Sequence, residues 1–300
     1  MDRPLQYLCL FLVVLEDDGS PVVDTVNNSG DRSGGSTGVS AAIDSGKTTE
    51  TGAGRTEIAV RASGITHRYG KKVALDSVEF ELHRGEFLAL LGPNGSGKTT
   101  LFSLLTRLLV ADSGHIDLFG HRIERAPANT LCRLGVVFQQ PTLDLDLTVE
   151  QNLSYHGALQ GLSKKEVRSR AGLELERLAL GDRAHDRVRS LNGGHRRRVE
   201  VARALLHKPD LLLLDEASAG LDFATRTSLY EHVRALCDER NLAVLWTTHL
   251  VEELGTHDQT LVLRDGKIQA RGTLASLAEE HGSGNINQAL AALTSGDTPP

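Results

Sequence analysis

From residue 57 onward the chain alternates short apolar runs with amphipathic stretches of helical period, the rhythm of an α/β fold. Ile58 to Ile65 and Val78 to Leu82 alternate apolar and polar positions, predicting two strands with a turn at Tyr69-Gly70-Lys71-Lys72 between them. Glu86 to Leu91 predicts a short buried strand, and Thr100 to Leu105 the opening of an apolar helix. Gly114 to Gly120 predicts another short strand, and Leu134 to Phe138 a buried one ending at Gln139-Gln140-Pro141. Thr148 to Leu162 and Ser163 to Leu180 carry helical periodicity, the second opened by the capping-box form S-x-x-E at Ser163 and Glu166. This helical insert interrupts the α/β rhythm and reads as a subdomain of about 141–206. Leu191-Asn192-Gly193-Gly194-His195 then opens a helix over Arg196 to His207, and Leu211 to Leu214 predicts a central buried strand. Thr225 to Arg240 is an amphipathic helix and Ala243 to Thr247 a further strand. Leu261 to Arg264 and Lys267 to Ala270 form a hairpin on the Asp265-Gly266 turn.

The ends lack this rhythm. Tyr7 to Leu15 is apolar but far short of the roughly 20 residues a membrane helix needs. Glu16-Asp17-Asp18 follow directly, with one basic residue ahead (Arg3), so a signal peptide is not indicated. Residues 16–56 run through Gly, Ser, Thr, Asn and Asp and cannot bury enough apolar surface to offset chain entropy. The expected organisation is a disordered extension over 1–56, one α/β domain over 57–282, and a weakly structured tail over 283–300.

The 300 residues are 40% hydrophobic and 24% charged, an ordinary globular balance. The net charge of −6 argues against a general nucleic-acid binder. Three widely spaced cysteines, at positions 9, 132 and 237, suggest neither a disulfide framework nor a zinc site, in agreement with a reducing compartment.

The chemistry begins at Gly92-Pro93-Asn94-Gly95-Ser96-Gly97-Lys98-Thr99, followed by Thr100, which fits the phosphate-cradling pattern G-x-x-x-x-G-K-S/T. A strand, a glycine turn and a helix start aim unpaired N–H groups and a helix dipole at an anion. Lys98 adds a point charge at the β/γ-phosphates, and the Thr99 hydroxyl offers a magnesium ligand. A structural glycine turn would not explain why a lysine and a threonine close it. Gly46-Lys47-Thr48-Thr49 repeats the end of the pattern, but Ala41 stands where the first glycine belongs and no apolar strand precedes it, so it reads as tail. Asp215 and Glu216 end the leucine strand at the carboxyl edge of a parallel sheet, where ligands bind. His249 follows a strand to the same edge, and Gln139, at another strand exit, can reach a metal or a water. The basic run Arg196-Arg197-Arg198 with Arg203 follows two glycines at a helix start, a geometry that also offers N–H groups to phosphate.

In order and spacing these pieces resemble the ATP-binding subunit of ABC transporters over roughly residues 58–280. The resemblance makes Tyr69 the aromatic A-loop that stacks on adenine, residues 92–99 the Walker A loop, and Gln139 the Q-loop. It puts the signature at 191–195, Walker B at 211–215 with Glu216 just after it, the D-loop at Asp222, and the switch at His249. Two departures stand out: Leu191-Asn192-Gly193-Gly194-His195 replaces L-S-G-G-Q, and Ala217-Ser218 replaces Pro-Thr after the Glu. The Asn192 to Arg198 run, with Gln139 to Asp144, looks like the subgroup associated with PQQ-dependent alcohol oxidation systems.

The resemblance implies a P-loop NTPase fold with an antiparallel β subdomain and a helical subdomain, and an ATP hydrolase using ATP and Mg2+. It implies a second nucleotide-binding subunit, a homodimer being expected, with each ATP between one chain's Walker A and the other's Asn192, Gly193 and Gly194. In that frame Thr99, Gln139 and Asp215 position Mg2+, Glu216 activates the water, His249 contacts the γ-phosphate, and Lys98 neutralises charge. An Asn amide, like the usual serine, is a donor. The resemblance further implies a separate membrane-spanning permease subunit and a peripheral place on the cytoplasmic face of the cell membrane. Export is expected over import, with an importer ATPase or a soluble non-transport ABC ATPase as the rival readings.

Overall fold

The structure is a computed structural model that describes residues 57–125 and 127–280. The expectations for 1–56, among them the Gly46 to Thr49 repeat, and for the tail from 281 lie outside the described residues.

Strands β1 (Ile58–Tyr69) and β2 (Lys72–His83) form an antiparallel hairpin. Both run further than their alternation predicts. The register shifts between Ala62 and Ile65, where Gly64 takes a φ of 61°, so the pattern loses phase while the ladder continues. Next come β3 (Phe87–Leu91), helix α1 (Lys98–Leu105), β4 (Ser113–Leu118) and β5 (His121–Arg122). β4 pairs with the free side of β1, giving an antiparallel sheet in the order β2-β1-β4-β5. The chain continues through α2 (Pro127–Leu131), β6 (Leu134–Val137), α3 (Val149–Leu159) and α4 (Lys164–Arg177). It then forms α5 (Gly193–Leu205), β7 (Leu211–Asp215), α6 (Phe223–Arg240), β8 (Ala243–Thr248), β9 (Gln259–Arg264), β10 (Lys267–Thr273) and α7 (Leu274–Glu280).

The second sheet has the order β10-β9-β3-β8-β7-β6, parallel throughout except for the β9–β10 hairpin. Strands β3, β6, β7 and β8 are apolar at nearly every position because both faces are covered. Phe87, Ala89, Leu212, Leu214, Val244 and Trp246 share one core with residues of α3 to α6. Their neighbours Leu88, Leu90, Leu211, Leu213, Ala243 and Leu245 share another with α1 and the antiparallel sheet. Each of the four leucines of β7 is fully buried and contributes about 1.5–3 kcal/mol of burial free energy. This anchoring brings the carboxyl ends of β3, β8, β7 and β6 to one edge, and the loops leaving that edge carry the candidate chemistry.

Both helices of the insert open on capping boxes. Ser163 and Glu166 form the expected one at α4, and Thr148 and Gln151 form a second at α3 that the sequence reading did not single out. Among the described residues no helix is long and apolar enough to cross a membrane.

Candidate nucleotide site

The loop from Gly92 to Gly97 carries β3 into α1, whose N-cap is Gly97. No side chain caps this helix and no acidic residue lies in its first turn, so its first N–H groups are offered to an anion. The glycines are needed for shape. Gly97 holds a φ of 113°, and a Cβ there would stand 2.6 Å from the Ala74 carbonyl oxygen; one on Gly92 would collide with the Leu263 carbonyl. Ser96 Oγ is buried without a hydrogen-bond partner, an orphan that an incoming phosphate oxygen would satisfy. Lys98 is buried, and its Nζ donates to the Gly92 and Pro93 carbonyls at 2.7 and 3.1 Å, folded back over the loop it closes. The exposed Thr99 side chain follows.

Across the sheet edge, Lys98 Nζ lies 3.6 Å from Glu216 Oε1. Glu216 is the hub of the cluster. His249 Nδ1 lies 3.5 Å from the same oxygen, and Gln139 Nε2 donates to Glu216 Oε2 at 3.2 Å. Its backbone is held in the left-handed region at a φ of 45°, uncommon for a glutamate, with its N–H donating to Thr247 Oγ1 at 3.0 Å. Thr247 Oγ1 itself donates to Asp215 Oδ1 at 2.7 Å, so one hydroxyl orients both carboxylate-bearing residues. Burial lowers the Lys98 pKa, against the pull of Glu216 and Asp215. Burial raises that of Asp215, against the hydrogen bond from Thr247.

The structure thus brings Lys98, Gln139, Asp215, Glu216 and His249 together. Tyr69, Asn192, Gly193, Gly194 and Asp222 make no hydrogen bond or ion pair with that cluster. Tyr69 is half exposed at the end of β1, edge-on to His67 at 4.9 Å. Asn192 is the N-cap of α5, its Oδ1 accepting from the His195 N–H at 2.8 Å, which leaves the amide nitrogen as its donor. Asp222 caps α6 through Thr225 N–H and Oγ1, which hold its carboxyl below the usual range.

The arginines of α5 do not form a solvated face: Arg197 is buried and donates to the Phe138 and Gln139 carbonyls, and Arg196 donates to the Val188 and Arg189 carbonyls. Arg203 donates to the Thr142 carbonyl. These guanidinium groups turn back to backbone carbonyls, leaving the N–H groups of the glycine-led helix start as the groups offered outward.

The chain matches the ABC transporter family over residues 75–219, which span the phosphate loop, Gln139, the signature and Asp215. It is 36% identical over 230 residues to a linearmycin resistance ATP-binding protein of Bacillus subtilis, covering 76% of this chain and 74% of that one. It is 37% identical to a daunorubicin resistance ATP-binding protein of Streptomyces coeruleorubidus, over 78% of this chain and 74% of that one. This chain belongs to the ABC transporter ATP-binding family. A Nod factor export ATP-binding protein of Ralstonia nicotianae is 38% identical, over 74% of this chain and 68% of the relative. A solved ATP-binding subunit of an ABC transporter superposes with a TM-score of 0.69 at 25% identity, over 78% of this chain and 98% of that one.

As an ABC ATP-binding domain the chain has the α/β P-loop fold with its antiparallel sheet, binds ATP, and is an ATPase. The narrower likeness to the PQQ-associated subgroup remains an expectation of the sequence alone. Magnesium suits the donor set. Among the described residues no group of three or more His, Cys, Asp or Glu could hold a metal by itself, but nucleotide-borne magnesium asks the protein for only one or two carboxylates.

Sequence reasoning missed two groups around this ABC site. Thr247 was read only as a strand end. Glu253, buried beyond the switch, accepts from Ser218 Oγ at 2.6 Å and Thr248 Oγ1 at 2.9 Å, tying the segment after Glu216 to the residue before His249. No local pattern marks either residue, since each acts on groups brought near only by the sheet.

Proposed function

We propose that this chain is the ATP-hydrolysing subunit of an exporter, working as a homodimer against a separate membrane-spanning subunit from the inner face of the membrane. The observation that carries the reading is the convergence of Lys98, Gln139 and His249 on Glu216 beside an uncapped phosphate-loop helix. The direction of transport rests on relatives named for linearmycin resistance, daunorubicin resistance and Nod factor export.

In this reading the N–H groups of Gly95 to Thr99 bind the β- and γ-phosphates, and Lys98 turns from its own loop carbonyls to the bound anion. Thr99, Gln139 and Asp215 would hold magnesium, which when bound neutralises charge on the phosphate oxygens. Glu216, released by Lys98, orients the attacking water and takes its proton, while His249 donates to the γ-phosphate. Tyr69 stacks on the adenine. Asn192, Gly193 and Gly194 of a second copy close over the γ-phosphate with the Asn192 amide as donor, and Asp222 lies at the same contact. The insert of about 141–206 carries closure to the membrane subunit.

Sizing Glu216→Gln protein with and without Mg·ATP tests this. The substitution blocks hydrolysis while retaining the nucleotide, so an ATP-dependent change from monomer to dimer is expected. A protein that binds ATP yet stays monomeric would sink the homodimer.

A further inference from the structure

The loop that leaves β6 carries Gln139. This strand is at the sheet's edge and ends at Val137, and the chain then runs through Phe138 and Gln139 toward the insert. Three residues of α5, spaced at i, i+3 and i+6 on one face, bond the backbone of this loop between Phe138 and Thr142. Arg197 Nη1 donates to the Phe138 carbonyl at 2.6 Å and Nη2 to the Gln139 carbonyl at 3.0 Å. Glu200 bonds Arg197 Nη1 at 2.7 Å and accepts the Thr142 N–H at 2.7 Å. Arg203 donates to the Thr142 carbonyl at 3.0 Å and to its hydroxyl. The side chains of Arg197 and Glu200 are only 8% and 3% exposed.

We propose that Arg197 and Glu200 are a positioning pair that clasps the Gln139 loop to the signature helix, so that Gln139 reaches Glu216 only when α5 is correctly seated. One end of α5 is capped by Asn192, and the clasped loop carries Gln139, whose amide already touches Glu216 Oε2 at 3.2 Å. A buried ion pair adds little net stability compared with well-packed apolar residues, so stability alone is a weak reason for its presence. The planar fork of Arg197 fixes two successive carbonyls and therefore the direction in which the Gln139 side chain leaves the backbone. Movement of the signature helix on meeting a second nucleotide site would then be felt at Glu216 through a rigid connection.

The inference rests on the functional reading of Gln139 as a residue of the nucleotide site, and the test separates the two. Steady-state kcat and ATP affinity would be measured for full-length wild type, Arg197→Lys, Glu200→Gln, Gln139→Ala and the double variant Arg197→Lys/Gln139→Ala. A lysine cannot hold both carbonyls, so Arg197→Lys and Glu200→Gln are each expected to lower kcat about tenfold, as small misplacements do, with ATP affinity kept within about twofold. If the pair acts through Gln139, Arg197→Lys on the Gln139→Ala background costs no more than about twofold further. Arg240→Lys, which weakens the remote 2.7 Å link to Glu174, serves as the control that loses stability but not rate. Folding is followed by the fluorescence of Trp246, the single and fully buried tryptophan. If Arg197→Lys does not fold, Glu200→Gln takes its place in the cycle. Multiplicative losses in the double variant, or wild-type kcat in the single ones, overturn the clasp alone. Wild-type kcat in Gln139→Ala overturns the reading of Gln139, and the clasp with it.

Discussion

Asp215 and Lys98 show how individual residues trade stability for chemistry. Burial pushes the pKa of Asp215 up and that of Lys98 down, so both are held in surroundings that disfavour their charged forms. A carboxyl with a raised folded pKa contributes stability below its unfolded value of 3.8, and that contribution is lost as pH rises through the folded pKa. Ionised Asp215 is therefore a stability cost at neutral pH. Asp215→Asn, whose amide oxygen can still accept from Thr247 Oγ1, is expected to raise Tm at pH 7 by about 2–4 °C, the shift that about 1 kcal/mol gives a domain of this size. Its ATPase rate should fall at least about a hundredfold, as for loss of a charge-stabilising group. The thermal advantage should shrink as pH falls through the raised pKa of the folded carboxyl and be gone below 3.8. Unchanged Tm at every pH would mean that Lys98 and the Thr247 bond fully offset the burial of this charge.

At the scale of elements, the helices of the insert draw support from their ends. In the first turn of α4 the Glu166 N–H is met by Ser163 Oγ, and the Ser163 N–H and Oγ in turn donate to the Glu166 carboxylate. Ser163→Ala should cost about 1 kcal/mol, the ordinary worth of a cap. Denaturant titration with ATPase assay on the same samples checks this, and a fall in rate per folded molecule would give the cap a role beyond stability. That capping box was legible from the sequence because both partners lie within one turn. The phosphate loop was legible for the same reason, being contiguous, and Asp215, Glu216 and His249 because strand ends mark the ligand edge. The inward turn of Arg197 was not. It is set by carbonyls 58 and 59 residues away, and neither periodicity nor charge carries that information. The bulge in β1 hid the second half of that strand because it shifts the phase on which an alternation reading depends.

For the whole molecule, the strand order was the least legible feature, since nothing local says that β6 lies at the edge or that β3 sits between β9 and β8. Three histidines on or beside α3, α5 and α6 are half-buried. His207 bonds the Leu134 carbonyl of β6 at 2.9 Å, and its ring stands 6.1 Å from that of His156 on α3. Burial, with nearby arginines, pushes His156 down to about 3 and His232 on α6 down to about 4, and burial also lowers His207. Between these values and the unfolded value of 6.5 the unfolded chain binds more protons, so stability falls as the solution is acidified. The stabilising contribution of these neutral rings is complete above pH 6.5 and is lost progressively below it. Unfolding free energy measured by denaturant at pH 7.5, 6 and 5 should therefore decline, His156 and His232 each contributing about 1.4 kcal/mol per pH unit below 6.5. His156→Gln removes one of these protons from the balance and should flatten the slope between pH 6 and 5 by about that amount. An unaltered slope in His156→Gln would show that the His156 ring already takes up a proton in the folded chain, and that acid sensitivity arises at the other rings or the carboxylates.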